Sequence, residues 1–113
     1  MPDRPDRLLI QDMLESISKI RIYMTGYSKT DFENDSRTVD AVIRNLEIIG
    51  EAATKTSEDL KDSTPEINWF QLKGLRNRIV HDYVGIDYNI IWDIVNQRLE
   101  QLEQDLLSIL NHL

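Results

Sequence analysis

The chain of 113 residues contains no cysteine. That absence excludes disulfides, a thiolate nucleophile and thiolate zinc sites. Prolines number three and glycines four, too few for a collagen-like or low-complexity segment. With 41% hydrophobic and 29% charged residues, the composition is globular rather than disordered. No apolar run approaches the roughly 18–20 residues needed to cross a bilayer. The opening MPDRPDRLLI is charged and lacks the basic-then-apolar order of a secretion signal. No membrane association is expected, and the cytoplasm is the expected compartment. Strand-like alternation of useful length and internal repeats are also missing. A chain of this size buries about two-thirds of its unfolded surface on folding, enough for one core. Residues 1–113 therefore read as a single domain.

Positive charge is scarce. The net charge of −7 argues against nonspecific nucleic-acid binding by the whole surface. Its distribution is uneven. From Ile67 to His81 there is no acidic residue, while Lys73, Arg76 and Arg78 supply +3, so the remainder carries −10 against the chain's −7. Such a basic island on an acidic body suits one anionic ligand at a defined place, or reflects clustering on one solvated helix face.

Helical periodicity is what the sequence has in abundance. Ile10, Met13, Leu14, Ile17, Ile20 and Met24 recur at steps of three and four, and Gly26 is a plausible stop. Thr30 with Glu33 is a candidate capping box for a short turn of helix. A second long stretch, from about Ser36 to Thr56, carries Val39, Val42, Ile43, Leu46, Ile49 and Ala53. Ser57 to Thr64 is a polar connector with room for one helical turn, and Pro65 follows. Asn68 is a good N-cap for a third helix bearing Trp69, Leu72, Leu75, Ile79 and Tyr83, with Gly85 at its end. Asp87 then caps a fourth, bearing Ile90, Ile91, Ile94, Val95, Leu99, Leu102, Leu106 and Leu110, of about 25 residues and roughly 37 Å. The expectation is an all-α antiparallel bundle of four to five helices. Gly50 and Gly74 sit inside helices at a cost of about 1 kcal/mol each relative to Ala. Each marks a close approach of another backbone, from a crossing helix or from a second copy.

Named catalytic motifs are absent: no phosphate-binding glycine loop, HExxH, EF-hand series or nucleophile elbow. Of the two histidines, His112 lies in a terminal segment prone to fraying. His81 ends the basic helix, where the negative end of the dipole favours its protonated form. Asn77 and His81 are neighbours four residues apart. Arg76 and His81 differ by about 140° around the helix, so one ligand reaches both only across the helix or through a loosened last turn. Plain structural roles are also open: an Arg78–Asp82 surface pair, a core Tyr83 with its hydroxyl at the edge, or His81 capping the last carbonyls. One histidine beside Asp82 is not a transition-metal set, which leaves metal-free phosphate chemistry. RNA cleavage at its own 2′-hydroxyl needs a base, an acid and a cation. Histidine suits the first two roles and arginine the third. With one credible histidine per chain, two-histidine catalysis requires two chains paired across a two-fold axis.

Arg76-Asn77, three further residues and His81-Asp82-Tyr83 resemble the R-x4-H-x-Y signature of HepT-like proteins in the HEPN superfamily. The AVIRNLEIIGEAA stretch over 41–53, Trp69 and the VGID step over 84–87 agree with it. The resemblance implies a homodimeric HEPN bundle acting as a metal-independent endoribonuclease, the toxin of a toxin–antitoxin pair. It makes Arg76 and His81 the catalytic pair, with Asn77 supporting them beside Lys73 and Arg78 of the basic island. It further implies an MntA-type nucleotidyltransferase partner that transfers AMP from ATP to Tyr83 and blocks the cleft. No cofactor is implied. Glu51 reads as structural, in a helix interior or an interface. Alternatives are a non-catalytic HEPN module binding nucleotides or a protein partner, and a purely structural dimerisation domain.

Overall fold

The computed structural model describes residues 4–113. Its helices are α1 (Asp6–Met24), α2 (Lys29–Glu33), α3 (Ser36–Lys55), α4 (Glu58–Ser63), α5 (Trp69–Asp82), α6 (Tyr88–Gln97) and α7 (Leu99–Leu110), with a 3-10 turn at Tyr83–Gly85. The fold is the all-α bundle expected, built around α3, against which α1, α2 and α5 pack. Among the described residues no helix is long and apolar enough to cross a membrane.

The periodic stripes become the core. Leu9, Ile10, Met13, Ile17 and Ile20 of α1 meet Val39, Val42, Ile43, Leu46, Ile49 and Ala53 of α3, all buried. Each buried side chain of this size contributes about 1.5–3 kcal/mol. Gly26, at φ +77°, ends the α1 turn in a conformation that favours glycine. The capping box falls two residues before the expected Thr30 and Glu33. Ser28 accepts from the Asp31 N–H, and Asp31 accepts from the Ser28 N–H, both at 3.1 Å. An N-cap needs a non-helical backbone; Ser28 is extended at ψ 168°, whereas Thr30 already lies within α2.

Asp35 caps α3 by accepting from the Thr38 N–H at 3.1 Å and from its hydroxyl at 2.7 Å. The Tyr27 hydroxyl donates to the same carboxylate at 2.5 Å. These donors hold the Asp35 carboxyl down at about 2, the Tyr27 bond contributing most and the Thr38 bonds next. Ser57 caps α4 and also ties it to Asp6 at the start of α1. Asn68 and Asp87 cap α5 and α6 as expected.

The long fourth helix is instead two, bent at Arg98 (φ −118°). Hydrogen bonds continue through the bend: Arg98 donates to the Ile94 carbonyl at 3.0 Å and accepts from Leu102 at 3.2 Å. The two halves have different docking partners. α6 lays Tyr88 and Trp92 against the buried Phe32 ring of α2, while α7 packs on α1. A straight rod would serve one of these surfaces.

Candidate functional site

The site begins with a missing side chain. A Cβ on Gly50 would lie 2.4 Å from Arg76 Cβ and 2.9 Å from the Leu72 carbonyl oxygen. Glycine at this position lets α5 sink onto α3, with Arg76 directly above. The next residue, Glu51, accepts a hydrogen bond from Arg76 Nε at 2.8 Å. Arg76 Nη1 then donates to Asn77 Oδ1 at 3.0 Å. The guanidinium is thus held by charge-assisted bonds at one edge, and Nη2 takes part in neither bond.

Arg76 emerges toward α3, on the side away from His81. Its Nη1 bonds Asn77, which precedes His81 by one helical turn. His81 is exposed, and no hydrogen bond to its ring is found among the described residues.

The outer face of α5 is open and carries exposed apolar side chains among polar ones. Phe70 is 83% exposed, and Val84, just past the helix end, is fully exposed. At helical spacing Phe70, Gly74, Asn77 and His81 form one stripe. A Cβ on Gly74 would meet nothing within 4 Å, so the close approach inferred for both helical glycines is met inside the chain only at Gly50. Lys73 and Arg78 are exposed at the margins, and the Arg78–Asp82 pair is not formed among the described residues.

Tyr83 is turned elsewhere. Its hydroxyl donates to Asp40 Oδ1 of α3 at 2.8 Å. That bond raises the phenol above its ordinary range, with partial burial and the charges of Asp40 and Glu47 adding to the shift. Tyr83 is therefore not a core residue: it is about half exposed, with its hydroxyl engaged by α3.

One residue escaped the sequence reading, and Glu51, read as structural, proves to hold a site residue. Glu51 does bridge helices, but it does so by holding Arg76; the signal available was a carboxylate directly after a glycine inside a helix. Asp40 left no signal, because only folding brings it across from Tyr83. Two grooves also open on the surface. One of about 620 Å³ lies between α1 and α3, where Asp12, Glu15, Glu47 and Glu51 offset Arg4, Lys19, Arg44 and Lys55. The other, about 500 Å³, is floored by Leu46, Ile49, Leu72 and Leu75. Neither includes Arg76, His81 or Tyr83.

The chain is similar to known proteins over nearly its whole length. The family model described as "Ribonuclease HepT-like" matches residues 13–109. A protein of Methanocaldococcus jannaschii named "Putative RNase MJ0127" is 39% identical over 95 residues, covering 84% of this chain and 78% of the relative. Another from the same organism, "Putative RNase MJ1380", is 33% identical over 105 residues, covering 93% and 96% respectively. "Probable ribonuclease HepT" of Thermococcus cleftensis is 35% identical over 94 residues, covering 83% and 86%. No solved structure gives a match. The matched span contains every residue of the Arg76–His81–Tyr83 constellation and the Gly50–Glu51 step beneath it, and the chain belongs to the HepT-like family.

Proposed function

We propose that this chain is an endoribonuclease that cleaves RNA without a metal ion, acts as a homodimer and is the toxin of a toxin–antitoxin pair. The observation behind this reading is an anchored arginine and an exposed histidine on the same helix, five residues apart. Arg76 is braced by Glu51 and Asn77, and His81 stands exposed one turn beyond Asn77. The ribonuclease names of the relatives support the same reading.

A second copy docked on the outer face of α5 would bring its own His81 and Arg76 to a shared slot. The RNA 2′-oxygen then attacks phosphorus while one neutral imidazole takes its proton. The bond to the 5′-oxygen breaks as the other imidazolium protonates that oxygen. Arg76 offsets the charge that builds on the phosphorane. The products are a 2′,3′-cyclic phosphate and a 5′-hydroxyl.

Silencing follows from AMP transfer by an MntA-type nucleotidyltransferase encoded alongside. The Tyr83 oxygen bonds the α-phosphorus of ATP, pyrophosphate departs and the phenol proton is released to solvent. The bound adenylate brings an anion and bulk beside the cationic residues meant for RNA. Both reactants place the protein in the cytoplasm.

The test is RNA cleavage in excess EDTA. Activity persists, yields cyclic phosphate ends, and falls about 10²–10⁴-fold in His81→Ala with an unchanged dimer. Cleavage that EDTA abolishes, or full activity in the variant, contradicts the reading. A second reading, a nucleotide-binding module without nuclease activity, draws on Arg76 already being engaged by two acceptors. It predicts calorimetric binding of ATP or AMP with no RNA product.

A further inference from the structure

The 3-10 turn at Tyr83–Gly85 buries none of its residues. Val84 is fully exposed, and Gly85 has open space around it. Against so little packing, one bond stands out. The Tyr83 hydroxyl donates to Asp40, 43 residues away on α3. It is the one side-chain hydrogen bond joining the turn to α3 among the described residues. We infer that Asp40 is the positioning residue that latches Tyr83 to α3 in the unmodified protein, and that nucleotidylation of Tyr83 opens this latch and frees the turn. The inference rests on the modification of Tyr83 proposed above.

The chemistry of the contact makes it specific to the unmodified tyrosine. A carboxylate accepts hydrogen bonds and cannot donate. Once the phenol oxygen is a phosphodiester oxygen it has no hydrogen to give, and two acceptors would face each other. The new phosphate also adds a negative charge next to Asp40, with Glu47 contributing a like charge from the same helix. The cations nearest in sequence to Asp40 are Arg37 and Arg44. Arg44 is already paired with Glu47 at 2.6 Å. His81, Arg78 and Lys73 lie on the helix that leads into the turn. Modification therefore removes the bond that holds the ring on α3 and releases the turn. A charge change at one oxygen becomes a movement of the chain between α5 and α6.

Amide hydrogen exchange tests the latch without any partner. In the full chain, Asp40→Ala and Tyr83→Phe each remove one end of the bond. Each should speed exchange over residues 83–87 by roughly tenfold, the value of a hydrogen bond to a charged acceptor. The double variant should go no further than either single one. Asp40→Asn keeps an acceptor oxygen without the charge and should fall between Ala and wild type. Wild-type protein carrying AMP on Tyr83, made with an MntA-type transferase and Mg-ATP, should exchange like Asp40→Ala. Asp40→Ala should itself accept AMP faster than wild type, because its phenol is already free. Exchange unchanged in the single variants, or modified protein that exchanges like unmodified protein, overturns the latch. So does slower modification of Asp40→Ala, since Asp40 would then be assisting the transfer as a proton acceptor. A transferase that never modifies wild-type Tyr83 defeats the proposed silencing instead, and the variants still judge Asp40.

Discussion

Of the two longest helices packed on α3, α1 buries Leu9, Ile10, Met13, Ser16, Ile17 and Ile20, whereas α5 buries Ile79 alone. α1 is held by apolar interdigitation and has little polar business with its neighbour. α5 is held by a glycine groove and an arginine–glutamate pair, with a half-buried margin of Trp69, Leu72 and Leu75, and the turn after it by a tyrosine–aspartate bond. Its other face offers Phe70, Gly74, His81 and Val84 to solvent. A helix attached in this way spends its chemistry-bearing side chains on its own placement. It also keeps an apolar surface unused. On the proposed reading, the contrast puts stability and activity on different helices of the same small domain.

Exchanging the two helices' roles by mutation is the sharpest way to break that contrast. Ile17→Ala on α1 should cost about 2–5 kcal/mol through the cavity it leaves, seen in chemical denaturation, while cleavage well below the melting point persists. Arg76→Ala should do the opposite and abolish cleavage with a smaller loss of stability. Equal losses of both properties in both variants would erase the distinction. Gly50→Ala comes next, because its methyl group would press on the backbone and Cβ of α5. The expected cost is about 1–3 kcal/mol, together with lost cleavage as Arg76 is displaced from Glu51. An Ala variant as stable and active as wild type would show that α5 can move away freely.

The smallest effect concerns acid stability, on the α3 side of the comparison. Asp35 has its carboxyl lowered to about 2 in the folded chain from the ordinary 3.8, first by Tyr27 and then by Thr38. A carboxyl lowered on folding adds stability that is complete above its unfolded value and is lost as pH falls through the folded one. Melting temperature should therefore drop between pH 4 and pH 2, and Tyr27→Phe should flatten that part of the profile. An identical acid limb in Tyr27→Phe would remove Tyr27 as the cause.

The sequence made one half of this contrast legible. The stripes on α1 and α3 repeat every three to four residues, and the structure buries them, Leu14 and Met24 only in part, because amphipathic period and core are the same physical fact. Asn68 and Asp87 cap where their side chains and spacing predict. The bend at Arg98 was invisible, since no proline or glycine marks it; two docking surfaces impose it from outside. The Thr30–Glu33 box was misplaced because capping depends on backbone dihedrals that composition does not reveal. At the site, Arg76 and His81 were singled out by motif, whereas the bonds that hold Arg76 to Glu51 and Asn77 appear only in the fold. Glu51 and Asp40 act through partners 25 and 43 residues away, distances over which spacing carries no information.

The central claim is that the outer face of α5 is completed by a second copy. Gly74, open on its Cβ side within one chain, is the point to probe. Sedimentation of wild type and Gly74→Glu, each assayed for RNA cleavage and checked by circular dichroism, measures it directly. The expected result is a cleaving wild-type dimer and a folded, monomeric, inactive variant. A wild-type monomer that cleaves RNA, or a monomeric Gly74→Glu that retains activity, would contradict it.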